Sequence, residues 1–364
     1  MNSASEWHIL IEALRQLHGK EQRAAALATI VRTHGSTFRR AGTRMLVYDD
    51  GQVVCELSGG CPQRDIVLRS LEAIDTGQPV LVGYNAESSL DVLMEMGCGG
   101  ELDVLIEPLS TPQSTAFADA LAQCLDQRRN AWLATVFAID GAVVSPTHMV
   151  RCGQATLYDG LGDPMLADAI AAAIGTGDFT PATMQLLPSR GGLADVLIEP
   201  VEPIHALVVI GSNTAARALL PVVNLLGWRI TLVDQDPQRL RPADLPPDLP
   251  TVCAGPATIR DALALDAHSS VIVMTHNVEQ DIAYLAALRD SPVAYIGALA
   301  SRERALRMRE EAGFGELRLR APAGLDIGSE TPTEIALAVV AEILAVLHRR
   351  GGGPLHTSSG SLHG

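Results

Sequence analysis

The chain has 364 residues, 47% of them apolar, and a formal net charge of -15. That length exceeds what one hydrophobic core ordinarily fills and predicts two domains, while the acidic balance argues against nucleic-acid binding, which depends on basic surface and counterion release. The longest apolar runs, such as Ala206 to Ile210 and Val271 to Met274, fall far short of the roughly 20 residues a spanning helix needs, so no transmembrane segment is expected.

The first predicted element is a helix in MNSASEWHILIEALRQL, whose acidic residues and helical periodicity read as the surface helix of a cytoplasmic protein rather than a secretory leader. The chain then repeats itself. LATIVRTHG at Leu27 to Gly35 parallels LATVFAIDG at Leu133 to Gly141, and MLVYDDGQ has a shorter echo in MVRCGQ. GGELDVLIEP at Gly99 to Pro108 returns as GGLADVLIEP at Gly191 to Pro200, with Pro62 matching Pro164 and Thr76-Gly77 matching Thr176-Gly177. The repeat predicts two α+β lobes, about residues 20–110 and 130–202, packed as a pseudo-symmetric pair inside a domain spanning 1–202. In both copies LATIV or its equivalent and DVLIEP read as strands.

The duplication supplies an internal control: features of both copies serve the fold, and features of one copy are candidates for function. GSTFRRAGTR, SGGCP and MGCGG belong to the first copy alone. Val31 to Tyr48 holds Arg32, Arg39, Arg40 and Arg44 with no acidic residue, a local reversal of sign that points to an anionic ligand or to a solvated loop. Leu57 ends a strand-like run, Gly59-Gly60 permits a sharp reversal, and Pro62 opens a predicted helix with Val67, Leu71 and Ile74 on its inner face. Cys61, framed by Ser58, Gly59 and Gly60, thus falls at an N-cap, where unpaired amides and the helix dipole favour a thiolate and offer an anion site. The competing reading is a buried structural cysteine, although Cys61 aligns with Asp163, so the turn itself does not require a thiol. Cys98, framed by Gly97 and Gly99, is the second such residue; without a histidine at metal spacing it fits a thiol-bound cofactor or redox pair better than zinc, or else packs at a tight turn. Cys55, Cys124, Cys152 and Cys253 have no such frame and read as reduced packing residues, with no disulfide scaffold expected.

Beyond Pro203 strand-like runs alternate with helical ones, which predicts a Rossmann-like, doubly wound parallel sheet over 203–350. The fold class is therefore α/β: duplicated α+β lobes followed by a Rossmann-like domain. Gly211-Ser212-Asn213-Thr214-Ala215-Ala216, with Asp234 ending the next strand, occupies the place of a dinucleotide fingerprint, but Asn213 stands where the second glycine lets backbone approach phosphate. An NAD(P)-dependent oxidoreductase is the alternative that this motif supports. His276 and Asp281 follow the fourth strand on the ligand side, and Asp326 and Glu330 precede the last helix; each is a candidate site residue or a structural one. That last helix is predicted to open with a capping box of Thr331 and Glu334 around Pro332. Residues 351–364 carry no core-forming content and read as a disordered tail.

Taken together, LATIVRTHGSTFRRAGTRMLV, LSGGC, CGGELDVLIEP, VVIGSNTAARAL, THNVEQD, YIGALASRERA and GLDIGSETPTEIA resemble the XdhC/CoxI family over roughly residues 20–348. The resemblance implies a cytoplasmic, homodimeric accessory protein, a chaperone more than a catalyst. Such proteins bind molybdenum cofactor (molybdopterin), protect it while a terminal sulfur is added, and deliver it to a molybdenum hydroxylase apo-enzyme of the xanthine dehydrogenase type. Cys61 matches the family's SGGC cysteine, Cys98 its CGG cysteine, and Gly35, Ser36, Arg39, Gly42 and Met45 its first loop. The candidate cofactor-binding set is then Ser36, Arg39, Arg40, Arg44, Ser58, Gly59, Gly60, Cys61, Cys98 and Gly99, with Gly211, Asn213, Asp234, His276, Asp326 and Glu330 in the second domain. Cys61 and Cys98 are the candidates for chemistry, and Cys61 for the metal; a persulfide on Cys61, supplied by a cysteine desulfurase, is a further reading. Pro62-Gln63 replaces a common Val-Glu, Phe38 and Ala41 replace prolines, Ser212-Asn213-Thr214 replaces Ala-Gly-His, Asn277-Val278 replaces Asp-His, and Ala300 replaces a glycine.

Overall fold

The two sequence copies fold into sheets of one topology. In the first lobe β1 (Ala25–His34), β2 (Arg44–Tyr48), β3 (Val53–Val54), β4 (Val80–Tyr84) and β5 (Glu101–Pro108) make an antiparallel sheet in the order β3-β2-β1-β5-β4. In the second, β6 (Ala131–Ile139), β7 (Ala142–Cys152), β8 (Ala155–Asp159), β9 (Thr183–Ser189) and β10 (Gly192–Val201) follow the order β8-β7-β6-β10-β9. Even the registers coincide. Thr29 faces Arg44 and Leu27 faces Glu107 in one sheet, as Thr135 faces His148 and Leu133 faces Glu199 in the other. The computed structural model describes residues 1–17, 23–35, 37–57, 62–85, 100–176, 182–240, 246–315 and 318–357.

Among the described residues, these sheets are covered by α1 (Ala4–Gln16), α2 (Pro62–Thr76), α3 (Phe117–Asp126) and α4 (Pro164–Thr176), with a single helical turn, Pro112–Thr115, leading into α3. Side chains alternate along a strand, so β1 sends Ala26, Ala28 and Ile30 toward α2 and Leu27 and Val31 toward the other lobe. The second lobe does the same with α4, through Leu166 and Ile170 against Ala134, Val136 and Ile198. Between the sheets Val31 and Leu105 meet Phe137 and Leu197. At one end Leu27, Leu46, Leu133 and Val150 share a core with Leu10 and Leu14 of α1 and Phe117 and Leu121 of α3.

The buried line of α2 is Ile66, Ser70 and Ala73, with Val67 and Ile74 on its flank. Because the helix lies over the small residues Ala26 and Ala28, small residues can line the contact, and a pattern of large apolar residues does not reveal them. Cys124 of α3 and Cys152 at the end of β7 are joined by a disulfide, with Cα atoms 6.1 Å apart, instead of being reduced packing residues. The fold brings the end of the helix over the end of the strand across a sequence separation of 28, which spacing alone does not disclose.

Contacts divide the chain into Met1–Pro203 and Ile204–Gly364. The second unit is a parallel sheet of β11 (Ala206–Ile210), β12 (Arg229–Asp234), β13 (Thr251–Cys253), β14 (Ser269–Val273), β15 (Tyr295–Ala298) and β16 (Leu319–Arg320), in the order β13-β12-β11-β14-β15-β16. This is the doubly wound order, and the direction of winding reverses between β11 and β14, where such folds open a ligand crevice. α5 (Thr214–Leu225) and α8 (Pro332–Leu347) cover one face, and α6 (Val278–Leu288) and α7 (Arg302–Ala312) the other. In ATIRDALAL, which follows β13, only one helical turn forms, Ile259–Ala262. The capping box of Thr331 and Glu334 opens α8 as expected, with Pro332 in its first turn. Among the described residues no helix is long and apolar enough to cross a membrane.

Candidate functional site

Of the first-lobe candidates, Arg39 and Arg40 lie on the loop joining β1 to β2, and Arg44 opens β2. The loop is a tight continuation of the hairpin: Ile30 donates its N–H to Thr43 O, and Gly42 donates to Ile30 O. Gly42 has φ +86°, and a Cβ there would stand 2.7 Å from Glu199 Oε2 and 2.9 Å from Ala182 Cβ, so lobe two presses on the loop where only glycine fits. Arg39 forms a two-point bridge to Glu6 of α1, Nη1 to Oε2 at 3.2 Å and Nη2 to Oε1 at 2.5 Å. Burial pushes the Glu6 carboxyl up, but the bonds from Arg39 and Ser3 outweigh it and hold it below the usual range. Arg40 is partly exposed, and its carbonyl accepts from both the N–H and the hydroxyl of Thr43. Phe38 lies just before this arginine pair and is 74% exposed.

Arg44 has a different role from the one its neighbours in sequence suggest. Its guanidinium is fully buried, donating to the equally buried Glu199 and, at 2.9 Å, to Thr135 Oγ1. His148 meets Glu107 through Nε2 at 3.1 Å and Thr135 through Nδ1 at 3.2 Å. Since Arg44 and His148 hold equivalent register positions, as do Glu107 and Glu199, each lobe lends its basic residue to the glutamate of the other. Arg32 follows the same logic, reaching Asp103 at 3.3 Å and Asp195 at 2.5 Å, one aspartate from each lobe. Burial raises the Glu199 carboxyl above its ordinary value even beside Arg44. Sequence reasoning misses the acidic partners Glu107, Glu199, Asp103 and Asp195, although they recur in both DVLIEP copies and that recurrence is the available signal.

At the start of α2, Gln63 Oε1 accepts from Leu57 N at 3.3 Å, tying the helix back to the preceding segment. Cys61 and Ser58, Gly59 and Gly60 lie outside the described residues, as do Ser36, Cys98 and Gly99. The second lobe shows what the position can do. Asp163, which precedes Pro164 as Cys61 precedes Pro62, accepts from the amides of Met165, Leu166 and Arg190 at 3.0, 3.3 and 2.7 Å. The residue before the helix-opening proline is therefore an anionic cap in that copy. The first lobe adds a polar cluster that the second lacks: Tyr84 of β4 donates its hydroxyl to Asp65 Oδ2 at 2.8 Å, and Arg69 Nε donates to the same oxygen at 2.7 Å. Leu187 takes the place of Tyr84 in the β9 register, and α4 reads PMLADAIAAAIGT. Cys55 sits near Arg39 and Glu6, but burial, with Glu6 adding, pushes its thiol up to about 11.

In the second unit Asn213 caps α5, its Oδ1 accepting from Ala216 N at 2.9 Å. Asp234 is buried and bonds to the chain itself. His276 follows the C-terminal end of β14, and Asp326 and Glu330 follow that of β16, all three reaching solvent. Asp281 is buried, accepting from Thr275 N and Oγ1 at 3.0 and 2.5 Å, with burial holding its carboxyl above the usual value.

Residues 207–343 match a family model described as the XdhC Rossmann domain, and residues 19–85 one described as the XdhC and CoxI family. The chain belongs to the XdhC/CoxI family. Among its relatives is a Bacillus subtilis protein described as a probable subunit of xanthine dehydrogenase, 27% identical over 346 residues, covering 94% of this chain and 98% of the relative. The molybdenum cofactor insertion chaperone PaoD of Escherichia coli is 24% identical over 357 residues, covering 96% of this chain and 90% of that one. A solved structure described as a xanthine dehydrogenase from Bacillus halodurans superposes with a TM-score of 0.77 at 23% identity, covering 96% and 97% of the two chains, which shows that this XdhC/CoxI chain shares that fold.

Proposed function

We propose that this XdhC/CoxI chain is an accessory protein that binds molybdenum cofactor, assists its sulfuration and delivers it to an apo-enzyme of the xanthine dehydrogenase type. The observation that carries this reading is the nearly full-length relationship to a molybdenum cofactor insertion chaperone and to a probable xanthine dehydrogenase component. The cofactor is cargo here, and it brings a phosphate and a soft metal-dithiolene group.

The described residues fit the phosphate end of that cargo. Arg39 is held in place by Glu6 while remaining 24% exposed, Arg40 lies beside it, and α2, which starts at Pro62, adds a helix N-terminus to the same lobe. Arg44, which is paired with Glu199 and, unlike Arg39, fully buried, drops out of the ligand set and serves to fix the lobe under the loop. Cys61, one residue before α2, is assigned the soft end, either as a ligand or as the carrier of a persulfide from a cysteine desulfurase. Cys98 is assigned a supporting thiol, and a homodimer in the cytoplasm is the form in which the protein meets its client.

The test is the fluorescent oxidation product of pterin in protein purified from a cofactor-making host. Wild type is expected to carry it, Arg39→Ala to lose it about tenfold, and Cys61→Ala to lose it almost entirely. Equal pterin in wild type and Cys61→Ala would remove Cys61 from the site, and none in any form would end the proposal. Mass spectrometry after incubation with a desulfurase and cysteine separates the two roles, an added sulfur on Cys61 marking the carrier.

A further inference from the structure

The crevice between β11 and β14 is the place where the second unit's topology calls for a ligand, and the chain's own side chain spans it. Asn213 Oδ1 takes the Ala216 amide in the first turn of α5, and its Nδ2 donates to Met274 O, just past β14, at 2.5 Å. One side chain thus bridges the loop after the first strand to the end of the fourth, across the switch point. Gly211 is pressed into the same place: at φ +108° a Cβ there would stand 2.7 Å from Met274 O. A coenzyme pyrophosphate needs that first-turn amide and that space.

The acid that would hold a ribose is engaged as well. Asp234 is only 5% exposed, and its Oδ2 accepts from Ser212 N at 3.2 Å while its Oδ1 accepts from Asp236 N at 3.0 Å. Ser212 Oγ in turn donates to Arg239 O at 2.7 Å, fastening the loop on its other side. The residues present therefore do not fit a dinucleotide, although the fold around them does.

We propose that Asn213 is a plug that closes the dinucleotide crevice of this Rossmann unit. The spacing of the motif is otherwise kept. With glycine at 213 the loop reads G-S-G-T-A-A, which satisfies the G-x-G-x-x-A spacing, and Asp234 still ends the next strand. Glycine is also nearly as good an N-cap as asparagine, so the exchange is compatible with folding. The inference is independent of the cofactor role of the first unit.

The experiment is a titration of the full chain with NADH and with NADPH, followed by ligand fluorescence, for wild type, Asn213→Gly and Asn213→Ala, each first checked by thermal melting. Wild type is expected to show a Kd above about 1 mM, and Asn213→Gly a gain of at least about tenfold for one of the two. Asn213→Ala, which removes both hydrogen bonds but keeps a Cβ, is expected to gain less. Wild-type binding below about 100 µM would overturn the plug outright, and this arm does not depend on how the variants fold. A folded Asn213→Gly protein that binds no better than wild type would equally overturn it, as would an alanine variant that binds more tightly than the glycine one.

Discussion

Cys55 illustrates how surroundings rather than residue type set the reactivity of a thiol. Cys55 has a positive φ of 64° and its Sγ points at Glu6 O, 3.6 Å away. Burial and the Glu6 carboxylate push it up to about 11, with only Arg39 opposing. At pH 7.5 its thiolate fraction is then about one in 3,000, against about one in ten for an ordinary thiol. Alkylation of the folded protein by iodoacetamide near neutrality is therefore expected to leave Cys55 unmodified, with peptide mapping as the readout; rapid Cys55 labelling at pH 7.5 would contradict this. The same shift has a sign for stability. The folded thiol titrates above the unfolded one, so its contribution is complete below the unfolded value of about 8.5 and is lost as pH rises toward about 11. Cys55→Ser is expected to flatten that part of the stability profile in urea melts across pH 8 to 11.

At the scale of elements, the disulfide and the α2 packing line mark the boundary of what sequence patterns reveal. The repeat, the strands LATIV and DVLIEP, the parallel sheet and the α8 capping box were legible because each is written in local sequence: a short apolar run recurring in both copies, a threonine three residues before a glutamate, an apolar run ending in glycine. The partners of Arg44 and Cys124 were not legible, because Glu199 lies 155 residues from Arg44 and Cys152 lies 28 from Cys124, and which of many such pairs meet is decided by how two sheets stack. For the candidate site the same rule held. Asn213 was visible as a departure from a local motif, whereas Tyr84 and Asp65 meet only because β4 runs beside α2. The disulfide ties α3, whose Phe117 ring lies 4.2 Å from that of His148, to β7, which carries His148. Closing a loop of this length stabilises by about 3.5 kcal/mol through the unfolded chain. Cys124→Ala with Cys152→Ala is expected to lower the urea midpoint accordingly, and reductant is expected to lower wild type but not the double variant.

For the molecule as a whole, the duplicated unit and the parallel-sheet unit have separate cores, and the first is held in register by charges exchanged between its lobes. Arg44 and Glu199 are both fully buried, so the pair itself adds little net stability, but removing one partner strands the other charge away from water at a cost of about 3–5 kcal/mol. The three tryptophans report on this selectively. Trp7 lies in the core shared by the two lobes, with the Arg44 guanidinium 5.1 Å from its ring centre, and Trp132 is also in the first unit, whereas Trp228 packs against the core of the second. In urea, Glu199→Ala is expected to shift the transition seen by Trp7 to lower denaturant by the equivalent of about 3–5 kcal/mol and to leave the one seen by Trp228 in place. Variants keeping a single tryptophan, with phenylalanine at the other two positions, make the two signals separable. If Glu199→Ala moved both transitions equally, the two units would be unfolding as one cooperative body, and the register held by Arg44 and Glu199 would support the whole chain instead of its first half.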